Sequence, residues 1–433
     1  MQKEFKKFLM QDEDEFYADK NLERLRQFMH KLNNPQNKFF NIHIAGSNGK
    51  GSVANFLANI LNTYKVGIYT SPHLIEFEER IRINSQKISK KELFKYFKNL
   101  YKLSKSYAIT SFELATALAF NYFSEQNVDF GIIECGLGCK YDATNIINSK
   151  ISIITNIALE HTNILGNSLV KIAKEKAEII KKNSAFFTFE SNKRLLNVFR
   201  KKCEKLNSEF FCINPAINPN YGYEIASKEK DFIEVDFFTP NTYYPNIKLN
   251  ALYQADNALL SIAVAEFMKE MNYIRISSSR IAKAIEKTKI LGRFNILHKD
   301  PLFVVDVAHN PAGISALVKS LKIYGSSFRV IFSCCKDKNA KEMLEHIKPI
   351  CKELIITQFL NKRAIEKEKL LRISKNLGMG VRIERLENLV DNIKLNMPTV
   401  VCGSHFLAKE FLQKKFLRGE LIERGNGSLD GSS

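Results

Sequence analysis

The run Ile44-Ala-Gly-Ser-Asn-Gly-Lys-Gly-Ser52 combines the residue types that hold a phosphate. Glycines at 46, 49 and 51 allow a tight turn whose N–H groups point inward, Lys50 supplies a positive charge, and the Ser52 hydroxyl suits Mg²⁺. An apolar, strand-like stretch (39–44) precedes the run and a helix-like one (53–61) follows it. The spacing departs from the strict phosphate-loop pattern. Two residues, not four, separate Gly46 from Gly49, and Gly51 intervenes between Lys50 and Ser52. An ordinary glycine-rich turn between strand and helix is the alternative reading.

Other residues of chemical interest stand at the ends of apolar runs. Glu134 closes Phe130-Gly-Ile-Ile-Glu134, where a carboxylate at the C-terminal edge of a parallel strand faces the ligand crevice and helps hold Mg²⁺. A solvent-exposed strand end is the bland alternative. A second glycine loop follows, Gly136-Leu-Gly-Cys-Lys-Tyr-Asp-Ala-Thr-Asn145. His161 lies beyond the run 151–157, and at that edge metal ligation competes with a structural role. Lys176, in Glu175-Lys-Ala-Glu178, reads locally as an exposed helix lysine. Asp306-Val-Ala-His309-Asn-Pro311 ends a later strand and leads into a helix through a proline suited to its first turn. Asn257 and Arg293 approach the same region, and arginine's planar fork suits phosphate.

The elements that must position these residues alternate. Strands are expected at 41–45, 66–70, 130–135, 151–157 and 185–189. Helices are expected at 22–32, 52–62, 90–103, 113–125, 169–181 and 192–206. Such alternation predicts an α/β fold built on a parallel sheet. Residues 210–250, with four prolines and alternating runs such as Phe232-Ile-Glu-Val-Asp-Phe237, predict an antiparallel excursion. Helices at 251–272 and 277–289 close this half. Leu291-Gly-Arg-Phe294 reads as a hinge. A second α/β set follows, with strands at 302–307, 328–332, 353–357 and 399–402 and helices at 312–323, 338–348, 365–377 and 404–417. The expected division is a first domain at 1–290, a linker at 291–297, a second domain at 298–424 and a disordered tail at 425–433.

Composition narrows the function classes. With 433 residues, two domains are expected. No apolar run reaches membrane-spanning length and the first residues are charged, so neither a span nor a secretory signal is expected, and the reading is cytoplasmic. The eight cysteines show no CxxC spacing and read as reduced thiols. The net charge of +19 is spread along the chain and suits polyanionic small substrates. It also keeps open a nucleotide-switched protein that binds nucleic acid.

Taken in order, the motifs resemble the folylpolyglutamate synthase/dihydrofolate synthase family of Mur-type amide ligases, over nearly the whole chain. The resemblance is carried by His43–Ser52, Tyr69-Thr-Ser-Pro-His-Leu74, Glu79-Arg-Ile-Arg-Ile83, Ser111-Phe-Glu113, Glu134-Cys-Gly-Leu-Gly138, Asp142-Ala-Thr-Asn145, His161-Thr162, Leu165-Gly166, Ile172-Ala173 and Glu175-Lys-Ala177. It continues through Gln254, Asn257, Gly292-Arg-Phe294, Asp306, Ala308-His-Asn-Pro311 and Gly403-Ser404. It implies an N-terminal Mur-ligase-type ATPase domain with a phosphate loop and a smaller Rossmann-like C-terminal glutamate-ligase domain. The irregular loop spacing is the family's own form.

By the same resemblance, Asn48, Gly49, Lys50, Gly51 and Ser52 hold the ATP phosphates, and Asn257, Arg293, Asp306 and His309 contact ATP across a cleft that closes about the hinge. Ser71, Glu134, His161 and Ser52 organise Mg²⁺, and Lys176 matches a lysine that carries a carbamate, which would make it a further, carboxylate-like metal ligand; a monovalent cation is a further expected ion. Lys50, Glu134, His161 and Lys176 form the catalytic set. Ser111, Phe112, Glu113, Tyr141, Asp142 and Ala143 surround the pterin substrate. The implied reaction joins L-glutamate to dihydropteroate and to reduced folates through an acyl phosphate. Strict folylpolyglutamate synthase and another Mur-type ligase are the alternatives within the class. The enzyme is expected to act as a monomer, with small-molecule partners only, neither nucleic acid nor membrane. The chain departs from the family pattern at Ser47, at Cys139-Lys140-Tyr141, and at Glu160, Glu178, Tyr253 and Val307. The family has Gly-Arg-Leu at 139–141 and Asp at 160.

Overall fold

Six short apolar runs pair side by side to make the central sheet of the first unit in the computed structural model, which describes residues 1–10, 21–393 and 395–417. The strands of this unit are β1 (Phe40–Ala45), β2 (Val66–Tyr69), β3 (Ile81–Ile83), β4 (Gln86–Lys87), β5 (Phe130–Glu134), β6 (Ile151–Ile154), β7 (Ala185–Thr188) and β8 (Glu209–Cys212). They lie in the order β4-β3-β2-β5-β1-β6-β7-β8. From β2 to β8 all pairings are parallel, and the β3–β4 hairpin adds antiparallel strands at one edge. β1, β5 and β6 are buried almost throughout, as strands covered on both faces must be. The chain runs from β1 to one side of the sheet and later from β5 across to β6 on the other. The C-terminal ends of β5, β1 and β6 therefore flank a topological switch point, where α/β sheets bind ligands.

Two helices of this unit are apolar nearly all round. Ser111–Glu125 and Leu252–Glu270 bury residues on every face, as a helix without a polar side must. By contrast, Lys193–Leu206 and Ser278–Lys287 bury a single stripe. The core around Tyr69, Phe97, Phe120 and Phe123 lies on one part of the sheet; a second core holds Ala173, Phe186 and Phe199.

The excursion is shorter than its composition suggested. Glu209–Cys212 joins the main sheet as its last parallel strand, where Phe211 stacks on Phe187 of β7 and Phe210 packs at a tilt against Phe186. Only β9 (Gly222–Lys228), β10 (Ile233–Phe238) and β11 (Tyr243–Leu249) form the separate three-stranded sheet. The helix expected over 169–181 ends at Lys176 and continues as one 3₁₀ turn, Ala177–Ile179. The strand expected to reach 157 stops at Ile154.

The contacts divide the chain into one unit of Met1–Ser227, Glu234–Leu249 and Gln254–Lys289, and another of Lys228–Ile233, Asn250–Tyr253 and Ile290–Ser433. The second unit carries β12 (Asn295–Lys299), β13 (Leu302–Val305), β14 (Phe328–Phe332), β15 (Cys351–Ile356), β16 (Val381–Ile383) and β17 (Thr399–Cys402), in the order β12-β13-β17-β14-β15-β16. All its pairings are parallel except β12–β13. Leu302, Val304, Phe328, Val330 and Leu354 are among its buried core. The tail at 425–433 lies outside the described residues. No helix among the described residues is long and apolar enough to cross a membrane.

Candidate active site

The turn after β1 is held from behind by residues that follow β6. Ser47 N donates to Asn156 O (2.9 Å) and Asn48 N to Asn156 Oδ1 (3.0 Å), while Thr155 Oγ1 and Asn156 Nδ2 donate to Asn48 O (2.6 and 3.1 Å). Ser47 Oγ accepts from Ala158 N at 2.9 Å. The glycines are required by this packing. Gly46 has φ +138°, and a Cβ there would lie 1.9 Å from Thr155 Oγ1; Gly49 has φ +90°, and a Cβ there would lie 2.3 Å from Asn257 Oδ1. The sequence reading missed Thr155 and Asn156. Their signal was a polar pair immediately after a strand on the switch-point edge.

The loop leads into the helix Lys50–Ile60, whose first turn has no side-chain cap and no acidic residue. Its leading N–H groups lack intrahelical partners, and the helix dipole favours an anion there. Lys50 Nζ folds back onto Gly46 O (3.0 Å). Ser52 is fully buried and its Oγ has no hydrogen-bond partner. A buried hydroxyl without a partner, one turn into such a helix, is what a bound phosphate–metal group would satisfy.

Glu134 ends β5 beside this helix. Its Oε2 accepts from Ser71 N (3.3 Å) and lies 3.7 Å from where a Gly51 Cβ would stand. Both Glu134 and Ser71 are buried. The structure thus brings Glu134, Ser71 and the start of the phosphate-loop helix together, and these oxygen donors would suit a divalent ion. The described residues contain no cluster of three or more His, Cys, Asp or Glu side chains suited to a metal. His161 sits in left-handed backbone (φ 45°) at the start of the short helix Thr162–Leu165.

Lys176, which reads locally as exposed, is buried. Its Nζ is 2.9 Å from Glu160 Oε1 and donates to Gly46 O at 3.1 Å. Burial alone would raise the Glu160 carboxyl, but Lys176, Lys50 and His161 bring it down to about 2. Burial works against the Lys176 ammonium, yet Glu160 holds its pKa above the ordinary lysine value. Two acceptors around Nζ suit an ammonium.

The second glycine loop is fixed by buried polar contacts. A Cβ on Gly136 would lie 2.7 Å from Phe112 Cζ and 3.0 Å from Asp142 Oδ2, so the ring, the loop and the carboxylate meet. Asp142 accepts from Leu137 N, Thr144 N and Thr144 Oγ1, and the last is 2.9 Å from His43 Nε2. Burial raises the Asp142 carboxyl against these hydrogen bonds and lowers His43 well below the usual histidine range. Lys181 Nζ holds Asn145 through its carbonyl (3.1 Å) and Oδ1 (2.7 Å), and burial, reinforced by Arg26, lowers its pKa to about 8. Ala143 is buried at the head of the 3₁₀ turn Ala143–Ile146, and Lys140 Nζ lies 4.9 Å from the Tyr141 ring centroid.

Glu113 is committed locally. It accepts from Thr110 N (2.7 Å) in a capping box and from Arg24 Nη2 through both oxygens (3.1 Å each). Ser111 is the first residue of that helix. Arg24, His43's partnership with Thr144, and Lys181 were not legible in the sequence, because each acts across a long separation in the chain.

In the second unit, Asp306 accepts from Tyr253 Oη (2.6 Å), Phe294 N (2.8 Å) and Ala308 N (2.7 Å). Phe294 is fully buried at φ 49°, so Asp306 pins a turn that a bulky side chain adopts only under tertiary restraint. Arg293 Nη1 donates to Gly292 O (3.3 Å). His309 Nδ1 is 2.9 Å from Val307 O, and its ring centroid is 4.8 Å from that of His405. Asn310 caps the helix Pro311–Tyr324 through Gly313 N (2.7 Å).

Comparison with known proteins agrees with this geometry. Residues 44–265 match the Mur ligase middle domain, and residues 292–404 the Mur ligase glutamate ligase domain. The chain belongs to the Mur ligases, in the dihydrofolate synthase/folylpolyglutamate synthase family. It is 33% identical over 351 residues to dihydrofolate synthase/folylpolyglutamate synthase of Bacillus subtilis, covering 78% of this chain and 81% of the relative. To dihydrofolate synthetase of Saccharomyces cerevisiae it is 28% identical, covering 90% and 97%. Among solved structures, folylpolyglutamate synthase of Mycobacterium tuberculosis, complexed with ADP and AMPPCP, superposes with a TM-score of 0.83 at 26% identity, covering 95% and 98%.

Proposed function

We propose that this Mur ligase is an ATP-dependent acid–amino-acid ligase that adds L-glutamate to dihydropteroate and to reduced folates. The observation that supports the nucleotide half best is the phosphate loop: a helix start without a cap, Lys50 over the turn, and the buried Ser52 hydroxyl without a partner. The family membership, with relatives named for both synthase activities, supports the acceptor half.

The chemistry runs in two steps. An oxygen of the acceptor's carboxylate attacks the γ-phosphorus of ATP, and ADP leaves. The amine of glutamate then attacks the acyl carbon, and phosphate departs carrying that carboxylate oxygen. Asn48, Gly49, Lys50 and Gly51 orient the phosphates, and Lys50 offsets charge in the transfer. Ser52, Ser71, Glu134 and His161 would hold Mg²⁺, which when bound stabilises the charge on the phosphate oxygens. Lys176 acts as an ammonium that fixes the Gly46 carbonyl. Phe112, Tyr141, Asp142 and Ala143 receive the pterin, and Glu113, held by Arg24, shapes the helix start beside them. Asn257 packs against Gly49, and by the family resemblance Arg293, Asp306 and His309 are further candidates for contacting ATP.

Labelling tests the route. With ¹⁸O in the acceptor carboxylate, one labelled oxygen per turnover is expected in released phosphate. Unlabelled phosphate accompanying amide formation rules out the acyl phosphate.

A further inference from the structure

Cys135 and Cys139 bracket the turn between the Glu134 carboxylate and the Asp142 loop, and their sulfurs are 2.9 Å apart. Both thiols are free and buried. Gly138, at φ +69°, reverses the chain so that sulfurs four residues apart meet. A disulfide bond is about 2.05 Å long, so bonding needs an approach of roughly 0.9 Å. Two thiolates sharing a tetrahedral metal at about 2.3 Å would stand roughly 3.8 Å apart, farther than these do. No other His, Asp or Glu completes a metal cluster with them among the described residues.

We propose that Cys135 and Cys139 are a modification site, oxidised to an intramolecular disulfide by a small hydroperoxide. The sulfur of one thiol attacks the O–O bond, forming a sulfenic acid, and the proton that thiol gives up goes to the departing oxygen, which leaves as an alcohol, or as water from hydrogen peroxide. The second sulfur attacks the sulfenic sulfur, the S–S bond forms, and the S–OH bond breaks. The hydroxide takes the second thiol's proton and leaves as water. Two thiols lose two electrons and the peroxide gains them. Burial bars a protein disulfide from the pair and pushes the Cys135 thiol up, so only a small oxidant in excess reaches it. The link restrains the turn joining Glu134 to Asp142. Any consequence for turnover rests on the function proposed above; the cross-link itself does not.

Peptide mass analysis of the full-length protein tests this without an activity measurement. Protein treated with hydrogen peroxide is denatured, alkylated and cut with trypsin. The fragment 106–140 holds these two cysteines and no others. The expected product is that fragment lighter by two hydrogens and restored by dithiothreitol, outnumbering the doubly alkylated form at least roughly threefold. The partly exposed Cys351 serves as reference for oxidant dose. In Cys139→Ser, the two-hydrogen loss should vanish. The proposal is overturned if, once Cys351 is oxidised, both cysteines are still alkylated or gain oxygens separately.

Discussion

Two loops of the same type, each joining a parallel strand to a helix, behave differently. The loop after β1 in the first unit holds a reserve of unsatisfied groups. Its helix start has no cap, Ser52 Oγ has no partner, and Lys50 lies over the turn. The loop after β13 in the second unit is closed on itself. Asp306 holds three donors, Asn310 caps the helix and Pro311 removes an N–H at its first position. One loop is built to receive an anion; the other is built to hold its own shape and present neighbours such as Arg293 and His309. Residue type alone does not separate them, since both offer charge and amide groups at a strand end. What separates them is whether the protein has already satisfied those groups.

The largest effect follows from the open loop. Lys50→Ala should lower kcat/KM for ATP by on the order of 10³ with little change in thermal stability, measured by steady-state kinetics and by melting. A loss of under tenfold would mean that Lys50 does not meet the phosphates.

Next comes the buried pair behind that loop. Glu160→Gln leaves the Lys176 ammonium without its counterion and should cost about 3 kcal/mol of stability in denaturant titration. The sign with pH follows from the depressed carboxyl. Glu160's folded pKa is about 2, below its ordinary 4.5, so its contribution is present above 4.5 and is lost as pH falls toward 2. Over that window the parent protein should lose more stability than Glu160→Gln does. Equal acid sensitivity would show that the pair does not stabilise the loop.

The smallest effect belongs to the closed loop. Tyr253→Phe removes one donor of three from Asp306 and should cost about 1–2 kcal/mol, with turnover changed only a few-fold. A loss of activity matching that of Lys50→Ala would erase the distinction between the loops.

Much of this was legible in the sequence because strand ends carry it. The apolar runs located β1, β5, β6 and β13, and the glycines, Glu134 and Asp306 stand at their C-terminal ends. Short edge elements were not legible: Ile81–Ile83 with Gln86–Lys87 and Val381–Ile383 are too brief for a periodic signal. Glu209–Cys212 was assigned to the antiparallel sheet because aromatic alternation does not say which strand it will stack on. Lys176 shows the same limit for a side chain. Nothing local marks it as buried; Glu160 and Gly46, distant in sequence, make its burial tolerable. Thr155, Asn156, Arg24 and Lys181 likewise act on partners that only the fold brings near.

The most direct test of the central claim is phosphate release from ATP with Mg²⁺ and L-glutamate, with dihydropteroate in one reaction and tetrahydrofolate in another. The account predicts glutamate-dependent phosphate, with the glutamylated product in equal amount, from both acceptors. Release from one acceptor alone would restrict the enzyme to a single synthase activity, and no glutamate-dependent release from either would contradict the account.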